Sequence, residues 1–271
     1  MTLSFHQCSL DHRTVNDATS TFLPDELCKE YSLSYSMEKY DFHQAIVELL
    51  QSCSPDLIGS FRTLNEIGSD GVAPKLDNFA VSIKSLTRKC QKGQVEVAQQ
   101  FLSDKIASDE NFLCLFDTFL KEVVLPHFKQ RLQSVGAAKP DEAITFYYQR
   151  PPTLRIQPGP ARASVKAHDD AEYGHQNGEL NFWLPLTSHL KTGVDLWVES
   201  KSRAGDYHPV GANIGEVLSF HGSTCRHYVN ANHSLWTRMS LDFRVGVSGY
   251  FDPSWQMNGT RDDHSRRKFS L

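Results

Sequence analysis

Apolar residues recur at helical spacing through the first half of the chain and at alternating spacing through the second. In the stretch DFHQAIVELLQ, residues 41–51, Phe42, Ile46, Leu49 and Leu50 share one face of a 3.6-residue period, which predicts an amphipathic helix. The run QVEVAQQFLSDKI predicts another, and GSDGVAPKLD, with its glycines and proline, predicts the loop ahead of this helical region. The clearest helix begins at SDENFLCLFDTFLKEVVLPHFKQRLQ. There Ser108 is placed to cap, Asp109 and Glu110 suit the N-terminal dipole, and Phe112, Phe116, Phe119, Leu120 and Val123 form an apolar stripe. Pro126 is expected to end or kink it.

After residue 140 the pattern becomes short and β-rich, divided by Gly, Pro and Asn. AITFYYQ, TLRIQ, ASVKAHD, LNFWLPLT, VDLWVES, GEVLSFHG and RMSLDFRVGV are each of strand length, and several alternate apolar with polar residues. That many strands without an intervening helical pattern predict a sandwich or barrel of the jelly-roll kind. The expected class is α+β in a single domain spanning 1–271. A mainly helical part, 1–140, packs on a jelly-roll core, 141–250, and a polar tail, 251–271, follows.

Composition narrows the partners. With 39% hydrophobic and 11% aromatic residues the chain has material for a full core. A formal charge of -4, with no basic run longer than Arg266, Arg267 and Lys268, argues against nucleic acid. The N-terminus lacks the charged start and apolar segment of a leader, and no stretch approaches the ~20 apolar residues of a membrane span, so a cytoplasmic protein is expected. Six widely spaced cysteines predict free thiols and no zinc knuckle.

Candidate chemistry centres on HDDAEYGHQNGELNFWLPLT, 168–187. In an extended segment His168 and Asp170 point to one side and Asp169 to the other, so one imidazole and one carboxylate reach a common point. Taken alone, an HxD is more often a solvated strand end. A non-haem Fe(II) site needs a second histidine from a distant strand. His227 stands out, because Arg238 follows eleven residues later on an alternating run and shares a face with Ser240, Asp242 and Arg244. An arginine beside a hydroxyl is a receptor for a carboxylate. His221 and His233 are the rivals for the distal position; His221 would stretch the spacing to the arginine to seventeen.

His168-x-Asp170, a gap, His227 and then Arg238-x-Ser240 together resemble the Fe(II)/2-oxoglutarate-dependent oxygenases. The fuller text, with CRHYVNAN and TRMSLDFRV, is similar to a StrG-like group near the phytanoyl-CoA hydroxylase branch, over about residues 145–247. The resemblance implies a double-stranded β-helix in which His168, Asp170 and His227 bind Fe(II). Arg238 would pair with the distal carboxylate of 2-oxoglutarate, assisted by Ser240, with Asn181 and Trp183 flanking it. Oxygen and 2-oxoglutarate would serve to oxidise a C–H bond of a small molecule in specialised metabolism, by hydroxylation, cyclisation or desaturation. Halogenation is disfavoured, since halogenases of this type replace the carboxylate that Asp170 supplies. Glu179, His175, Tyr173 and Arg155 are the candidate substrate contacts, each with an ordinary structural role as the competing explanation. A protein hydroxylase, or a cupin-like protein without redox activity, are the alternatives at the level of function.

Overall fold

The computed structural model describes residues 22–62, 75–81, 94–160, 165–255 and 266–271. Six α-helices are described: α1 (Asp25–Cys28), α2 (Phe42–Gln51), α3 (Gln94–Ser108), α4 (Glu110–Phe119), α5 (Leu125–Ser134) and α6 (His189–Thr192). The strands are β1 (Tyr31–Ser34), β2 (Gly59–Phe61), β3 (Phe79–Val81), β4 (Thr145–Gln149), β5 (Thr153–Gln157), β6 (Val165–His168) and β7 (Glu179–Pro185). They continue with β8 (Leu196–Val198), β9 (His208–Pro209), β10 (Glu216–Phe220), β11 (His227–Val229), β12 (Arg238–Val247) and β13 (Arg266–Ser270). The expected loop GSDGVAPKLD lies mostly outside the described residues.

Helix α2 starts where the Asp41 carboxylate accepts the Gln44 amide at 2.8 Å, and it buries Phe42, Ile46, Leu49 and Leu50, the face its spacing predicts. At the next junction Asp109, and not Ser108, is the cap. Its carboxylate accepts the Phe112 amide at 3.0 Å, while the Ser108 hydroxyl turns back to the Lys105 carbonyl and closes α3. Pro126 does not end the helical run. A π-helical segment, Leu120–Val124, joins α4 to α5, and Pro126 sits in the first turn of α5. Widening the turn interrupts the regular ladder just where proline has no N–H to give, so the chain passes through without a break.

All pairings among the described residues are antiparallel. A seven-stranded sheet runs β1-β10-β7-β12-β4-β13, with β5 also paired to β12, and a four-stranded sheet runs β6-β11-β8-β9. Strand β12 is the long central element. One of its edges pairs with β7 from Ser240 to Gly246, and the other is shared by β5 and β4.

Two sequence expectations change. The helical half contributes strands, of which β1 extends the large sheet along β10. The last residues are not a free polar tail: β13 pairs with β4 at all five positions, and Leu271 exchanges backbone hydrogen bonds with Ile144. The intervening residues 256–265 lie outside the described set. The described cysteines Cys28, Cys53, Cys114 and Cys225 are free thiols; Cys8 and Cys90 lie outside it. Among the described residues no helix is long and apolar enough to cross a membrane.

Strand β7 is buried at all seven positions because both of its faces are covered. Leu180, Phe182 and Leu184 join Met239, Leu241, Phe243 and Val245 of β12 in one apolar cluster with Phe42, Phe112, Phe116 and Phe128 of the helices. On the other face Trp183 packs with Leu218 and Phe220 of β10 and with Leu196, Val198 and Val229 of the small sheet. Phe243 is the hub of the helical side, stacked on Phe182 at 5.3 Å and met edge-on by Phe116 at 5.1 Å. Replacing it by alanine is expected to cost about 3–5 kcal/mol, read as a lowered urea midpoint with an unchanged slope.

Candidate metal centre

The strand that ends at His168 pairs with β11, and the register sets His168 directly across from His227. Their rings lie 4.4 Å apart. Asp170 follows in a one-turn 3-10 helix, Asp170–Tyr173, whose first amide donates to the Gly222 carbonyl at 2.8 Å. One ligand atom from each of His168, Asp170 and His227 lies within 4.8 Å of the others, and this is the metal-competent cluster found among the described residues. The Asp170 Oδ1 is 3.4 Å from His168 Nε2 and 3.5 Å from His227 Nε2.

The imidazoles are aimed by their other nitrogens. His168 Nδ1 donates to the Lys166 carbonyl at 2.7 Å, and His227 Nδ1 donates to the Cys225 carbonyl at 3.2 Å. With Nδ1 held by a carbonyl, each ring turns Nε2 inward toward Asp170, the atom through which a neutral ring would bind a metal. The second oxygen of Asp170 is taken. It accepts from Asn181 Nδ2 at 2.6 Å, Arg244 Nε at 2.9 Å and Arg244 Nη2 at 2.7 Å. Gln149 in turn accepts from Arg244 Nη1 at 3.3 Å. A glycine permits this approach, since a Cβ on Gly222 would lie 2.6 Å from the Asn181 amide.

Electrostatics follow from burial. Desolvation alone would raise the Asp170 pKa, but the Arg244 guanidinium, with the bonds from His168 and Asn181, holds it well below the usual carboxylate range. Burial pushes His227 down against the pull of Asp170. His168 suffers the same desolvation, yet its hydrogen bonds to Asp170 and the Lys166 carbonyl prevail and raise it. The centre thus holds an ionised carboxylate beside a neutral His227.

These groups open onto a cavity of about 500 Å³. Its wall includes Asn181 and Trp183 of β7, Arg155 and Gln157 of β5, Tyr228 of β11, and Arg238 and Asp242 of β12. The end of α3 closes it with Leu102, Ser103, Ile106 and Ala107. Arg238 is 5% exposed and lies over the Trp183 ring at 5.6 Å. Burial lowers it to about 10, so it stays charged at neutral pH. Its Nε and the Trp183 Nε1 are buried without a hydrogen-bond partner.

Of the remaining expected contacts, Arg155 is on the wall, paired with Asp242 at 3.0 Å. The other four are not on it. Ser240 donates to Asp242 at 3.0 Å and lies off the wall. His175 and Glu179 form a buried pair at 2.8 Å, and Glu179 also receives Arg266 at 2.7 Å. Both carboxylate oxygens are thereby engaged away from the cavity, because the turn before β7 points inward to the C-terminal strand. Tyr173 is half exposed and touches the back of His168, ring edge to ring face, at 5.2 Å. The rival His221 is held by Thr224, Ser223 and the Asn177 carbonyl, and His233 is exposed. Sequence parity set Arg244 on the face of Arg238, but nothing in it singled out the contact with Asp170. The helix α3 was legible in the sequence, but its place at the cavity wall was not.

No protein-family model matches the chain. It is similar to the streptomycin biosynthesis protein StrG of Streptomyces griseus, 33% identical over 114 residues, which is 42% of this chain and 53% of that protein. The chain therefore spans about half the length of the curated relative it matches. Looser overlaps occur with the nickel complex of the non-heme monooxygenase ThoJ, at 18% identity and a TM-score of 0.33 over 40% of this chain and 48% of that one. Another is with SnoN, a non-heme alpha-ketoglutarate-dependent epimerase of nogalamycin biosynthesis, at 10% identity and a TM-score of 0.40 over 88% and 90%.

The buried Glu179 gives the site region an acid sensitivity. Desolvation opposes its charge, but His175 and Arg266 bring it from 4.5 down to about 2. A depressed carboxylate stabilises the fold above its unfolded pKa and loses that contribution as pH falls toward the folded one. Glu179→Gln is expected to cost up to about 3 kcal/mol near neutrality. Urea unfolding of both proteins at falling pH should show the gap beginning to shrink below about pH 4.5. A gap that stays constant into that range would contradict this assignment.

Proposed function

We propose that the chain is a non-haem Fe(II)- and 2-oxoglutarate-dependent oxygenase of the StrG-like group near the phytanoyl-CoA hydroxylase branch. Its two sheets would form a double-stranded β-helix, and a small molecule would be its substrate. The observation that carries this reading is the convergence of His168 Nε2, His227 Nε2 and Asp170 Oδ1 on a cavity that also holds the buried Arg238.

The residues fit the metal. Donor atoms 3.4 and 3.5 Å apart are spaced as ligands of one ion with bonds of about 2.1 Å. Two imidazoles and one carboxylate, with positions left open, are the donor set suited to Fe(II) in oxygenases. Asp170 would bind through Oδ1, since Asn181 and Arg244 hold Oδ2. Arg238 fits the co-substrate: a guanidinium with an unsatisfied Nε, beside an unsatisfied indole N–H, is a receptor awaiting a carboxylate. Bound there, Fe(II) with 2-oxoglutarate and dioxygen supplies an oxidant able to take hydrogen from an unactivated C–H bond, with release of succinate and CO2.

The protein's own contribution is placement and exclusion of water. Arg238 and Trp183 would hold the far end of 2-oxoglutarate, and Asn181 would keep Asp170 turned to the metal. The substrate would occupy the side of the cavity beneath α3, among Leu102, Ile106, Ala107 and Tyr228, with the Arg155–Asp242 pair as a polar contact at the wall. Hydroxylation is the simplest outcome; cyclisation or desaturation would depend on how the cavity wall holds the substrate's reacting carbon and its neighbours.

Protein reconstituted anaerobically with Fe(II) should release succinate when oxygen and 2-oxoglutarate are added. Metal bound elsewhere, with no iron-dependent turnover of 2-oxoglutarate, would overturn the proposal. His227→Ala is expected to abolish iron binding measured by calorimetry, whereas His221→Ala should retain it. Arg238→Ala should leave metal binding intact and raise the 2-oxoglutarate KM about 10- to 150-fold, the loss of one or two hydrogen bonds to a charge.

A further inference from the structure

Asp170 is fixed by more than its carboxylate. Its carbonyl accepts the His175 amide at 3.1 Å, so the turn that carries it closes on His175. The His175 ring donates to Glu179 Oε1 at 2.8 Å, and the Gln176 amide reaches the same oxygen at 3.3 Å. The other oxygen, Oε2, accepts Arg266 Nη2 at 2.7 Å. The side chains of His175, Glu179 and Arg266 are 2%, 1% and 8% exposed, so this chain of contacts is shielded from water along its length.

Arg266 opens the last strand, nearly a hundred residues after Asp170. Its register partner on β4 is Gln149, the residue that accepts from Arg244, which clasps the Asp170 carboxylate. The C-terminal strand therefore meets Asp170 by two routes. One runs through Glu179 and His175 to its backbone, the other through β4 and Arg244 to its side chain. A buried carboxylate that loses its hydrogen-bonded guanidinium is costly, and it would draw in water or change its hydrogen bonds even with Arg244 near enough to act on it. Removing Arg266 would thus release the group that ties down the 170–179 turn.

We propose that Arg266 is a positioning residue for the metal centre, holding Asp170 in place through the buried Glu179 and His175. This rests on the assignment of His168, Asp170 and His227 as metal ligands. It predicts that metal affinity depends on a side chain that does not touch the metal.

The test is calorimetric titration of the apoprotein with Ni(II), a redox-silent probe, in four versions of the chain: wild type, Arg266→Gln, Arg266→Lys and Phe269→Ala. Phe269 lies on the same strand and packs against the helical core, so its loss weakens strand docking without touching Glu179. Arg266→Gln should lower Ni(II) affinity about 10-fold, the low end of the effect of removing a group bonded to a ligand, because Arg266 acts through Glu179 and His175. Arg266→Lys, which keeps the charge, should restore most of it. Phe269→Ala should lower the melting temperature and leave the affinity within about twofold, inside ordinary measurement scatter. An Arg266→Gln affinity within twofold of wild type would overturn the proposal. So would an equal loss in Phe269→Ala, which would reduce the effect to strand docking. If Arg266→Gln does not fold, Glu179→Gln takes its place, since it breaks the same chain of contacts: an affinity within twofold of wild type would overturn the proposal, and a loss of about tenfold would support it. Absence of Ni(II) binding in wild type would instead remove the metal assignment itself, and this inference with it.

Discussion

The carboxylate of Asp170 is 1% exposed and ionised, and a buried charge of that kind persists only where the surrounding chain neutralises it. Its partners come from four directions: Arg244 from β12, Asn181 from β7, and the two imidazoles from β6 and β11. Satisfying one oxygen with three donors leaves the other facing two imidazole nitrogens. The cost of burying the charge is thus offset by strand pairings that also assemble the candidate metal centre. The compensation of Asp170 therefore relies on the pairings that bring β6, β7, β11 and β12 together around it.

Strands β7 and β12 can line the site because both of their faces are covered. Along β7 and β12 one parity is wholly apolar and packs on the helices, while the opposite parity gathers Asn181, Trp183, Arg238, Asp242 and Arg244 around the cavity. Polar groups so placed are shielded by the second sheet and by α3. They act in a low-dielectric setting in which the Arg238 guanidinium, its Nε without a hydrogen-bond partner, sits at the cavity wall with Asp242 as its leading charge partner.

Much of this was legible from residue spacing. Parity alone separated Phe182 and Leu184 from Asn181 and Trp183, and put Arg238 and Arg244 on one face, because a strand's two-residue period leaves little choice once one face is apolar. The helices at 42–51 and 110–119 followed from their stripes. What failed were inferences about ends. Ser108 and Asp109 both have capping side chains, and the choice between them rests on which oxygen reaches the Phe112 amide. Pro126 was harmless because a π turn precedes it, a conformation without a distinct sequence pattern. The C-terminal stretch reads as polar, yet it forms a strand because the edge of β4 is free to pair with it and Arg266 has a buried acid to neutralise.

Residue order by itself determined which groups have the right chemistry and which face each occupies, since both follow from side-chain type and local period. It could not determine distance between segments. His175 and Glu179 sit next to the metal motif in sequence, yet they turn away from the cavity to meet Arg266, while α3, sixty residues upstream, forms part of its wall. Those outcomes belong to the tertiary structure, because a buried charge goes to the partner that neutralises it, wherever along the chain that partner lies.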